Sequence, residues 1–76
     1  MYELYFAYNF TTFSGAPRRD ILKIPECKIK KYDVANDNVE LVVVCESQDI
    51  AEKLKHYMLI RFEIFAKKEL PLSPEV

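Results

Sequence analysis

Hydrophobic positions along this 76-residue chain follow two rhythms, and the change from one to the other outlines its elements. Near the N-terminus Tyr2, Leu4, Phe6, Tyr8 and Phe10 alternate with Glu3, Tyr5, Ala7 and Asn9. This period of two predicts a half-buried strand over about residues 2–10. The segment from Thr11 to Ser14 is polar, and Gly15, the only glycine, breaks the pattern. Pro17 suits a first helical turn, so a short helix near residues 17–23 is expected.

Two further extended runs, about 26–34 and 39–46, flank Ala35-Asn36-Asp37-Asn38, whose residues favour turns. They predict a hairpin. Setting Val34 opposite Val39 pairs Tyr32 with Leu41 across a four-residue loop, but the same register would put Lys28 against Cys45. One extra residue at Lys30-Lys31, a bulge, restores Ile29 opposite Val43 and Cys27 opposite Cys45. A single apolar face then runs down both strands.

The rhythm changes after Ser47, a good N-cap, with Asp49 in the first turn and Lys67 and Lys68 before Pro71. No glycine, proline or asparagine interrupts Gln48 to Leu70, which predicts one long helix over about 48–68. Ile50, Ala51, Leu54, Tyr57, Met58, Phe62, Ile64 and Phe65 form its apolar arc. Leu59 and Ile60 fall outside that arc and Arg61 inside it. The alternation of Ile60, Phe62, Ile64 and Ala66 supports a second arrangement, in which a fourth strand at about 59–66 makes a ferredoxin-like sheet. The expected fold is α+β: a three-stranded, mainly antiparallel sheet under one long C-terminal helix, with the four-stranded form as the alternative. Residues 1–69 are expected to form a single domain and 70–76, with Pro71 and Pro74, a disordered or extended tail.

Composition narrows the class. Half of the residues are hydrophobic, enough for a dense core at a length that admits one domain. Two cysteines are too few for a disulfide scaffold, so reduced thiols are expected. The opening residues lack the charged and apolar regions of a secretion signal, and no apolar run approaches membrane-spanning length, which predicts a cytoplasmic protein with no membrane partner.

The net charge of -1 conceals sorted blocks. Pro17 to Lys31 is mostly basic, Tyr32 to Glu52 carries acids and no base, and Lys53 to Lys68 is basic again. Patterned charge steers association and selects partners.

Candidate chemistry is thin. Cys27 and Cys45, as cross-strand neighbours, are expected to be buried apolar thiols, with a redox pair as the lesser reading. His56, with Glu52 four residues before and Glu63 seven after, sits on a charged helical face that needs no metal to explain it. Ser14 and His56 lack a nucleophile elbow, and one glycine cannot build a phosphate-cradling loop. No catalytic, metal-ligating or cofactor-binding residue is therefore assigned.

Partner-binding candidates fall in two groups. Arg18, Arg19, Lys28, Lys30 and Lys31, with Phe13 and Tyr32 near enough to stack on a base, would suit a polyanion. Tyr57, Leu59 and Ile60 would suit a protein partner or a second copy of the helix.

Two short segments resemble parts of known families. Tyr5-Phe6-Ala7-Tyr8-Asn9 resembles the opening strand of γ-glutamyl cyclotransferases, yet Asn9 stands where their substrate loop has glycine and the chain is half the size of that fold. Ser47 to Lys68 is similar to a C-terminal helix in the target-recognition regions of some adenine-specific DNA methyltransferases, without any methyltransferase motif. Neither assigns a family. The expected function is a non-enzymatic protein-interaction module, such as a small inhibitor or adaptor of the phage or plasmid type, binding a larger enzyme or assembly through its patterned charge, with a homodimer through the C-terminal helix. The alternative is a small nucleic-acid-binding module using residues 18–31.

Overall fold

The computed structural model describes residues 1–71. Strand β1 (Tyr2–Asn9) leads through a single helical turn α1 (Phe10–Phe13) into α2 (Ala16–Leu22). Strands β2 (Cys27–Ala35) and β3 (Asn38–Cys45) form the expected hairpin, followed by α3 (Gln48–Phe62) and β4 (Ala66–Pro71). The sheet order is β2-β3-β1-β4, and every neighbouring pair is antiparallel. Strand, helix, two strands, helix, strand in this order is the split βαβ connectivity of a ferredoxin-like sheet. The expectation of three strands is thus corrected to four, as in the alternative arrangement.

The register of the hairpin follows from its apolar pattern. Val34 lies opposite Val39, Tyr32 opposite Leu41, Ile29 opposite Val43 and Cys27 opposite Cys45, with a register shift between Ile29 and Lys31. Lys30 is the extra residue, and without it the lysines would face the core. The loop is tighter than the four residues expected, because Ala35 pairs with Asn38. Asn36 and Asp37 turn the chain alone at φ 51° and 69°, left-handed conformations that asparagine and aspartate tolerate in two-residue turns. Asp37 also holds the start of α1, because its carbonyl accepts the Phe10 N–H at 2.9 Å and its Oδ1 the Thr11 N–H at 2.7 Å.

Both faces of the sheet are read from β1. Leu4, Phe6 and Tyr8 point into the core with Val39, Leu41, Val43 and Cys45 of β3, and with Ile21 of α2. From α3 come Ala51, Leu54, Met58 and Phe62, spaced three, four and four apart, so one stripe of the helix covers the sheet. Ser47 Oγ caps that helix by accepting the Ile50 N–H at 3.3 Å. Burying side chains such as Phe6, Leu41 and Met58 contributes about 1.5–3 kcal/mol each. Glu3, Tyr5 and Ala7 point to the opposite face, which carries no helix.

The long helix ends early. It stops at Phe62 rather than Lys68, because Glu63 adopts a left-handed conformation (φ 59°, ψ 33°) and the chain turns back. Ile64 enters the core as expected, but Phe65 does not and stands 71% exposed. The fourth strand accordingly begins at Ala66, later than the expected span of 59–66, and pairs with the outer edge of β1. Leu70 and Pro71 complete it; the remainder of the expected tail, residues 72–76, lies outside the described residues.

Candidate interaction surfaces

Pairing of the strands decides where the charge blocks go. On the helix-free face, Lys28, Val44, Glu3 and Leu70 form one row across the four strands, and Lys31, Val42, Tyr5 and Lys68 form the next. Basic and acidic segments that are separate in sequence therefore meet. Lys31 Nζ lies 3.2 Å from Glu40 and 3.6 Å from Asp33, and Lys55 bridges Glu52 at 3.0 Å and Glu69 of β4 at 2.7 Å. Arg61 reaches Asp20 at 3.6 Å. The three blocks do not persist as three surfaces.

Glu3 is the one buried carboxylate among the described residues, 3% exposed although it sits on the open face. Its Oε1 accepts the Tyr5 hydroxyl at 2.7 Å and its Oε2 the Lys30 ammonium at 2.5 Å. The Lys30 bond first, then the Tyr5 bond, lowers its pKa from the ordinary carboxylate value, against the opposing effect of burial. No pattern within β1 marks Glu3, because its cover depends on the placement of β1 beside β3, which brings Lys30 of the β2 bulge within reach. Lys68 lies over the Tyr5 ring at 5.5 Å, so the only aromatic side chain in these two rows already has a cation on it.

The five basic candidates are divided between places. Lys28 and Lys31 project from β2 on the helix-free face and Lys30 is drawn to Glu3, whereas Arg18 stacks over Tyr32, on the core side, at 5.2 Å. Arg19, exposed on α2, approaches the open side of Gly15.

The second group is brought together. Tyr57 and Ile60 stand 38% and 69% exposed on the outer side of α3, around Glu52, Lys53 and His56. Leu59 is half-buried and shares an adjoining hollow with Lys55, His56 and Phe65. Phe65 extends this surface. Its position beyond the helix end follows from the turn at Glu63, so the helical pattern concealed it. The Tyr57 hydroxyl donates to Asp20 at 2.6 Å, fixing the ring against α2. Among the described residues no three His, Cys, Asp or Glu side chains converge as metal ligands, and no helix is long and apolar enough to cross a membrane.

Between α3 and the segment after α2 runs a groove of about 430 Å³ lined by Ile24, Glu26, Cys27, Ile50, Lys53, Leu54 and Tyr57. Burial raises the pKa of the Cys27 thiol and pushes that of Cys45, behind it, up to about 12. Comparison with protein-family models, curated proteins and solved structures finds no match to the chain.

Proposed function

We propose that this chain is a non-enzymatic protein-interaction module, a small inhibitor or adaptor that docks on a larger protein through the outer side of α3. The observation that carries this reading is the exposure of Ile60 and Phe65, with Tyr57 beside them, on a small domain that has other apolar positions to bury. Large apolar side chains grouped with Glu52, Lys53 and His56 have the make-up of an interface: an apolar centre with a charged margin. Sorted charge contributes less than the sequence implies, because much of it is paired within the fold.

The nucleic-acid reading draws less support. Its arginines and lysines lie in different places, Lys30 and Lys31 already have carboxylate partners, and Tyr5 is the only stacking ring in the two rows that hold Lys28 and Lys31. A second copy of the chain remains an alternative occupant of the α3 surface.

Affinity capture from lysate with the wild-type chain and an Ile60→Asp, Phe65→Asp variant tests the proposal, with and without nuclease. A defined partner retained after nuclease and lost with the folded variant supports it. Retention by the variant, or loss on nuclease treatment alone, overturns it.

A further inference from the structure

Cys27 and Cys45 are the two cysteines of the chain, and the hairpin sets them directly opposite each other with their Sγ atoms 3.6 Å apart. The type of rung matters. The Cys27 N–H donates to the Ile24 carbonyl at 3.1 Å, while the neighbouring rung carries the bond from the Glu46 N–H to the Glu26 carbonyl at 3.1 Å. Cys27 and Cys45 thus occupy a rung without backbone hydrogen bonds, where facing Cα atoms approach to about 4.5 Å. That separation lies inside the range a disulfide spans, about 4.4–6.8 Å.

Access is asymmetric. Cys27, 7% exposed, contributes to the lining of the groove between α3 and the segment after α2, whereas Cys45 is 0% exposed. A reagent in the groove meets Cys27 first. Any thiol exchanged there has Cys45 as its resolving partner, already in sulfur contact and with no other cysteine to compete.

We propose that Cys27 and Cys45 are a reversible dithiol–disulfide site, entered through this groove and oxidised by a small-molecule disulfide such as glutathione disulfide. In the first exchange the Cys27 thiolate attacks one sulfur of the small disulfide. A bond forms between them, the small disulfide's own S–S bond breaks, and one glutathione thiolate leaves. In the second, the Cys45 thiolate attacks the Cys27 sulfur and expels the second glutathione thiolate. The two protons lost by the protein thiols end on the two glutathione thiolates. Two protein thiols are oxidised and one glutathione disulfide is reduced, so atoms and electrons balance.

Burial keeps both thiols largely protonated, and Glu26 and Glu46 beside Cys27 and Glu69 on β4 add to this. Exchange is accordingly slow at neutral pH. The product staples the two ends of the β2–β3 hairpin, and the enclosed loop restricts the unfolded chain.

The folded wild-type protein, incubated with glutathione disulfide, provides the test by intact mass, thiol counting after denaturation and thermal melting. The expected product is a monomer lighter by two hydrogen atoms, with no free thiol and a Tm higher by about 10 °C. Dithiothreitol should return the starting mass and Tm. A Cys45→Ser variant should stop at a single glutathione adduct on Cys27. The proposal is overturned if the wild type keeps two free thiols, holds a stable glutathione adduct, links two chains, or melts at a lower temperature once oxidised.

Discussion

Ile64 donates its backbone N–H to the carbonyl of Met58 at 3.2 Å, six residues back, and this bond marks where α3 gives way to β4. Glu63 lies between, donating to the Leu59 carbonyl at 2.8 Å in a left-handed conformation that a side chain with a Cβ adopts only at a cost. The turn sends Ile64 into the core and leaves Phe65 at the surface.

Replacing Glu63 with glycine should therefore stabilise the fold by about 1 kcal/mol, since the side chain is exposed and its backbone conformation favours glycine. Urea unfolding measures this as a higher midpoint with an unchanged slope. A lower midpoint would show that the Glu63 side chain stabilises the turn by more than its conformation costs.

That turn is also where the sequence ceased to be legible. From Gln48 to Leu70 no glycine, asparagine or proline signals a stop, and the outer edge of β1 recruits residues 66–71 as a strand although Lys67-Lys68-Glu69 has little strand character. Tertiary pairing overrode local preference. The hairpin, by contrast, was legible down to its bulge, because only one register keeps Cys27, Ile29, Tyr32 and Val34 on a single face. On α3, the helical positions of Tyr57 and Ile60 predict an edge and an outward-facing residue, and both are exposed. The basic segment does not form one place, since a charge run does not reveal which carboxylates will lie opposite it.

Tyr8 carries a buried hydroxyl that makes no hydrogen bond of good geometry among the described residues; burial, chiefly, raises its pKa, and the nearby Tyr32 hydroxyl adds to this. Its ring packs edge-on to Phe13 at 6.0 Å, a contact that phenylalanine would keep. Tyr8→Phe should leave stability unchanged or raise it by about 1 kcal/mol, because an unsatisfied buried polar group carries a desolvation cost of that order. A clear loss on chemical denaturation would reveal a partner for the hydroxyl, the Tyr32 hydroxyl first.

Glu3 ties stability to pH. Its folded pKa is lowered, first by Lys30 and then by Tyr5, so the stabilisation is complete above the unfolded value of about 4.3 and is lost as pH falls through the lower folded value. Unfolding midpoints measured from neutral to acid pH should decline through that window. The decline should be shallower in Glu3→Gln, which should also be less stable than wild type at neutral pH because Lys30 loses its carboxylate. Parallel profiles for the two proteins would remove Glu3 from the pH dependence.

Met58 and Ile60 lie two residues apart on α3 and face opposite ways, the first fully buried and the second among the most exposed large apolar side chains. Met58→Ala should cost about 2–5 kcal/mol through the cavity it leaves. Ile60→Ala should change stability by less than about 0.5 kcal/mol, as expected for a surface position without structural partners. The comparison separates the demands of the fold from those of binding, because only the interaction proposal gives Ile60 a role in this molecule. Should a second copy be the occupant, light scattering will show a concentration-dependent rise in mass for the wild type and a constant monomer mass for Ile60→Asp. A destabilisation by Ile60→Ala comparable to that of Met58→Ala would mean that the residue packs within the fold, and the α3 surface would lose its central apolar anchor.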